Sequence, residues 1–79
     1  MSTMDDAKRI VAEATRTPLD QLTDETDIQS MDAWDSIAHI GIILAVEELA
    51  GKQLTPEAII DIVSVRSIAD FLAMQSGSP

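Results

Sequence analysis

Asp35-Ser36-Ile37-Ala38-His39-Ile40-Gly41-Ile42-Ile43-Leu44-Ala45-Val46-Glu47-Glu48-Leu49-Ala50-Gly51 contains the richest aliphatic run in the chain. An aspartate before such a run can accept hydrogen bonds from the free N–H groups of a first helical turn. A glycine just past the run can enter the left-handed region without a side-chain clash. Together they predict a helix of about four turns from Ser36 to Ala50. At roughly 100° per residue, Ser36, Ile37, Ile40, Gly41, Leu44, Glu47 and Glu48 share one face. Ala38, His39, Ile42, Ile43, Ala45, Val46, Leu49 and Ala50 share the other, which has no carboxylate and is the expected core-facing stripe. A chain of 79 residues has too little other material to cover both sides. Ile37, Ile40 and Leu44, rimmed by Glu47 and Glu48, are therefore expected to form an exposed docking patch.

On the N-terminal side, Met4, Ala7, Ile10, Val11 and Ala14 recur at helical spacing and predict a first helix from about Met4 to Thr15. Thr3 is its expected N-cap, and Pro18 forces an end near Arg16. The connection from Thr17 to Trp34 is longer than compact domains usually use. Leu19, Leu22, Ile28 and Met31 punctuate it, so it reads as a loop pinned to the fold. On the C-terminal side, Thr55-Pro56 places a cap before a proline at the first helical position and opens a short third helix to about Ile62. Ser64 can cap the last helix, where Val65, Ile68, Ala69, Leu72 and Ala73 keep the helical period to about Gln75. Residues 76–79 should fray. The expected architecture is all-α: one domain over 1–79, a four-helix bundle with three longer helices, a short third one and a long loop between the first two.

Composition narrows the function classes. Trp34 and Phe71 are the aromatic residues, so the core must be aliphatic. Fourteen acids against five Lys and Arg give a net charge of -9. That balance repels nucleic acid and anionic lipid and favours basic protein partners. With no cysteine, neither a disulfide framework nor a cysteine metal site is available. The first residues lack the basic and apolar regions of a signal peptide, and no apolar run approaches the roughly 20 residues needed to span a bilayer. A cytoplasmic monomer is the expectation.

Ser36 stands at the first position after the cap, where N–H groups are unpaired and the helix end favours an anion. A phosphate ester on its hydroxyl would be well placed there. No general base is evident beside it, because His39 lies about 60° round the helix, so chemistry on Ser36 must be driven by another enzyme. Asp24, Thr26, Asp27, Asp32 and Asp35 do not make a calcium loop, since Gln29 stands where the loop needs Gly and Asp35 where it needs Glu. Asp35, Ser36 and His39 cannot act as a hydrolytic triad from one helical turn, and His39 is expected to be a packed residue. Neither a catalytic nor a metal site is expected.

Asp35-Ser36-Ile37, opening an aliphatic helix that ends Val46-Glu47-Glu48-Leu49, resembles the attachment site of the acyl carrier proteins, usually Asp-Ser-Leu. The setting strengthens the likeness: a helix and long loop before the serine, a four-turn helix after it, a short helix with Pro56, and Ile62-Val63-Ser64-Val65 leading into the last helix. The resemblance implies a discrete carrier, not itself an enzyme. A phosphopantetheinyl transferase would move 4′-phosphopantetheine from coenzyme A to Ser36, and the terminal thiol of the arm would carry an acyl group as a thioester. By the same likeness Asp35 would cap the helix and help hold the transferase's divalent ion. Ile37, Ile40, Gly41, Leu44, Glu47 and Glu48 would meet acyl-loading and acyl-using enzymes through basic patches. Acyl cargo could shelter in a crevice lined by Ile42, Val46, Ile59 and Ile62.

Gly41 and Ala38 stand where carriers of fatty-acid synthesis often have acids, and Trp34 is bulkier than the residue usually found before the Asp. Trp34 can anchor the loop or shape the surface an enzyme meets. These departures point to a specialised pathway, polyketide or related, over housekeeping fatty-acid synthesis. Two other readings remain open: an aminoacyl or peptidyl carrier of nonribosomal synthesis, and an acidic helical interaction module without a prosthetic group.

Overall fold

The computed structural model describes residues 2–76, the side chains of 75 and 76 aside. Four α-helices follow one another: α1 (Thr3–Thr15), α2 (Ser36–Ala50), α3 (Pro56–Asp61) and α4 (Val65–Ser76). A short 3-10 turn at Leu19–Gln21 interrupts the long loop. The tail expected to fray falls outside the described residues, except Ser76, which closes α4.

Ser2, one residue earlier than expected, caps α1 through its Oγ, which accepts from the Asp5 amide at 3.1 Å. Thr3 lies inside the first turn, because the serine hydroxyl already holds the free amide three residues on. The helix ends with Arg16 in the left-handed region at φ 56. Thr17 N–H returns to the Ala12 carbonyl at 3.0 Å, and Arg16 N–H to Glu13 at 3.4 Å, which satisfies the last carbonyls. Gly51, at φ 73, ends α2 by the same device, with the Lys52 amide 3.3 Å from the Glu47 carbonyl. Thr55 caps α3 through the Ala58 amide. Ser64 and Ser67 cap α4 reciprocally, each hydroxyl accepting from the other residue's amide at 3.0 Å.

Helices α1, α2 and α4 pack on one another, while no residue of the short α3 is fully buried. Val11, Ile42, Val46, Ile62, Val65 and Ile68 form the fully buried centre. Burial of each contributes on the order of 1.5–3 kcal/mol. Leu49 was expected on the core stripe and is 58% exposed. It lies at the rim of the seam between α1 and α2, in an open hollow shared with Arg9 and Glu13, and is not covered.

The long loop is held at several points. The Ile28 amide donates to the Val63 carbonyl at 2.8 Å and the Val65 amide to Thr26 at 2.9 Å, an antiparallel bridge onto the α3–α4 junction. Lys8 on α1 pairs with Asp24, and Arg66 on α4 with Glu25, each at 2.7 Å. Leu22 and Trp34 plug the loop into the core. The loop thus delivers the chain to Asp35 along a fixed course.

Candidate functional site

Asp35 turns the chain from extended backbone into α2. Its Oδ1 accepts from the Ala38 amide at 2.9 Å, and its carbonyl accepts the first helical bond, from the His39 amide, at 2.8 Å. The amides of Ser36 and Ile37 have no acceptor within the helix. Ser36 is exposed in this first turn, so its hydroxyl stands in solvent beside the positive end of the longest helix.

A groove of about 460 Å³ opens next to the hydroxyl, lined by Ile28, Trp34, Asp35, Ser36, His39 and Ile40. Trp34 forms its wall and is only 2% exposed. Of the two roles open to Trp34, this burial fits the anchor: the indole holds the loop against the bundle, and a partner enzyme would meet little of it directly. Its Nε1–H donates to His39 Nδ1 at 3.1 Å, the two rings stack with centroids 6.2 Å apart, and His39 Nε2 lies 3.3 Å from the Ile59 carbonyl on α3.

The α2 face is sorted by the packing. Ile37 is 81% exposed and Ile40 and Leu44 are 60% exposed, a continuous apolar strip running down the helix from Ser36. Glu48 is exposed beside it. Glu47 is half-buried, and its Oε2 accepts from the amide of buried Leu54 at 2.9 Å, so this carboxylate braces the α2–α3 loop as well as edging the strip. Gly41 is half-buried and turned toward α1, where a β-carbon would lie 3.7 Å from Ala14 Cβ. It does not belong to the strip, and Ala38 is buried. An acid at either position would face the interior, so their lack of charge reflects packing. Of the residues expected to line a cargo crevice, Ile42, Val46 and Ile62 are packed into the core and Ile59 is half-buried, while the groove beside Ser36 is lined by other residues.

Among the described residues no group of three or more His, Asp or Glu is placed to hold a metal, and no helix is long and apolar enough to cross a membrane. A family model described as a phosphopantetheine attachment site matches residues 5–72. The chain belongs to that phosphopantetheine attachment family. Members carry 4′-phosphopantetheine covalently on a serine, work with phosphopantetheinyl transferases and acyl-handling enzymes, and are carriers, not catalysts. No curated protein gave a significant match. The attachment family's needs fit the start of α2: a hydroxyl open to an incoming enzyme, two unpaired amides suited to a phosphodiester, and apolar surface on both sides of it.

The tie between Trp34 and His39 and the bracing role of Glu47 escaped the reading of the sequence. A five-residue separation that crosses a helix start belongs to no helical period, and a bond to a backbone amide leaves no residue pattern.

Proposed function

We propose that this chain is an acyl carrier whose Ser36 bears the 4′-phosphopantetheine arm. The observation that carries the reading is the exposed Ser36 hydroxyl at the N-terminal turn of α2, directly after the capping Asp35. The serine oxygen displaces adenosine bisphosphate from the pantetheine phosphate of coenzyme A, and its proton passes to a base of the transferase. This chain supplies no base of its own, since both ring nitrogens of His39 are engaged. Asp35 leaves Oδ2 free of intramolecular bonds and available to the transferase's divalent ion. Once attached, the arm supplies a terminal thiol that holds acyl groups as thioesters.

Ile37, Ile40 and Leu44 form the docking strip that successive enzymes meet, with Glu48 as its exposed carboxylate and Glu47 at its edge. Gly41 and Trp34 support this surface from beneath. Partners of this strip carry an apolar patch edged by basic residues that meet Glu47 and Glu48, and such contacts release quickly, as a shuttle requires. The pathway we favour is a specialised one, polyketide or related, over housekeeping fatty-acid synthesis, and it rests on the bulky Trp34 before the attachment motif, since the missing charges at Ala38 and Gly41 follow from packing. The setting is cytoplasmic and the working form a monomer.

Intact mass after incubation with coenzyme A and a broad-specificity transferase tests the assignment. One phosphopantetheine should be added to the native chain and none to Ser36→Ala. Subsequent loading with malonyl or fatty acyl groups, and not with amino acids, separates the acyl carrier from an aminoacyl carrier.

A further inference from the structure

His39 touches every element that meets at Ser36. Its amide bonds the Asp35 carbonyl at 2.8 Å, its Nδ1 takes the Trp34 indole proton at 3.1 Å, and its Nε2 faces the Ile59 carbonyl at 3.3 Å. Donor and acceptor chemistry fixes the state of the ring. An indole N–H can only donate and a carbonyl can only accept. Nδ1 must therefore be bare and Nε2 must carry the proton, which is the neutral imidazole in one tautomer. A protonated ring would set an Nδ1–H against the indole N–H and lose that bond. The chain holds a single Trp and a single His, and they are these two.

We infer that neutral His39 is a positioning residue for the modification of Ser36: it ties the loop's last turn to α3 through Trp34 and so fixes the direction in which the hydroxyl is presented. The inference rests on the assignment of Ser36 made above. The carboxylates nearest the ring in sequence are Asp32 and Asp35 of the loop, and α3 adds Glu57 and Asp61, all exposed; Glu47 and Glu48 lie two turns or more further along α2, and the loop's other acids, Asp20, Asp24, Glu25 and Asp27, precede Ile28. No Lys or Arg occurs in residues 28–35, in α2 or in α3. None of these carboxylates pairs with the ring, because Trp34 and Ile59 take both nitrogens. Loss of the two ring bonds therefore has one structural consequence at this site: it frees the indole, slackens the turn that leads into Asp35 and opens the wall of the groove beside Ser36.

The test compares loading rates of the full chain by one broad-specificity transferase with coenzyme A, with indole fluorescence followed on the same samples. His39→Leu keeps bulk and loses both bonds. Its kcat/KM should fall about five- to tenfold, the factor that corresponds to one net hydrogen bond. His39→Gln can accept from the indole and donate to the Ile59 carbonyl, and should stay within about twofold of native. The Trp34 emission should shift in His39→Leu, where the indole loses its acceptor, and stay close to native in His39→Gln. A folded His39→Leu that loads at the native rate overturns the inference, and so does a His39→Gln that loads as slowly as His39→Leu. Should His39→Leu fail to fold, Trp34→Phe, which removes the indole donor alone, decides: loading at the native rate overturns the inference and a severalfold loss supports it. Failure of the Ser36 assignment shows differently, as loading of Ser36→Ala or none of the native chain, and the indole emission of the His39 variants then still tests the tie.

Discussion

Glu47 and Leu54 are joined by a 2.9 Å bond from a buried residue's amide to a half-buried carboxylate, across the turn between α2 and α3. Its neighbour Glu48 makes no such contact and points to solvent. Two adjacent acids with the same sequence character therefore have separable effects. Glu47→Ala leaves a buried amide unpaired and should lower stability by about 1–3 kcal/mol. Glu48→Ala should change stability by less than about 0.5 kcal/mol. Thermal or urea unfolding of both variants checks this, and equal losses in the two would contradict the division.

Gly41 sits inside α2 with room for one methyl, 3.7 Å from Ala14 Cβ. Glycine within a helix costs about 1 kcal/mol relative to alanine. Gly41→Ala should therefore raise stability by up to that amount, and the transferase should load it as it loads the native chain, because the position faces α1. A drop in melting temperature, or a loss of loading, would place something at Gly41 that the packing does not show.

The two left-handed residues that end helices should respond in opposite directions. Arg16, at φ 56, holds a conformation that costs a side-chain-bearing residue roughly 1–2 kcal/mol. Arg16→Gly relieves that strain but gains chain entropy on unfolding, so a rise of about 0.5–1 kcal/mol is expected. Gly51, at φ 73 with open space around it, faces only the conformational penalty. Gly51→Ala should lose about 1 kcal/mol. For a domain of this size 1 kcal/mol moves the melting temperature by about 4–8 °C, within easy reach of calorimetry.

Acid should weaken the hold on the loop. The hydrogen bond and charge of Lys8 keep the Asp24 carboxyl below its ordinary value of 3.8. The unfolded chain thus takes up this proton first as pH falls. The stabilisation is full above the ordinary carboxylate range and is lost as pH drops toward the lowered value. The pair is exposed, so the effect is small and should shrink further at high salt. Asp24→Asn should remove this part of the acid sensitivity, read as the difference between the two stability curves below about pH 4. Superimposable curves would show that the ion pair adds nothing.

Strip exposure makes a further prediction. Ile40 and Leu44 are 60% exposed and contribute little to the core. Replacing both with Ser should leave the melting temperature within about 2–4 °C of native, about 0.5 kcal/mol, while transfer of acyl groups by a partner enzyme slows. Collapse of the fold would return these side chains to the core.

The architecture was legible because its signals are local. Asp35 with Gly51, and Thr55 with Pro56, mark helix ends through their own backbone chemistry, and those ends fall where the residues predict. The first cap shifted by one residue because Ser2 and Thr3 are chemically equivalent candidates and only the geometry chooses between them. The face of α2 was half legible. A helix apolar all round does not announce which side turns inward, so Leu49 was placed inward and Gly41 outward. The sequence could not show that Trp34 reaches His39, or that Glu47 holds Leu54, since both contacts depend on how the loops close.

Fragment mass spectrometry of the transferase-treated chain, read peptide by peptide, tests the central assignment most directly. All of the added phosphopantetheine should lie on the peptide containing Ser36, with none on those containing Ser2, Ser30, Ser64 or Ser67. Modification at any of these other serines, or of a chain bearing Ser36→Ala, would contradict the account.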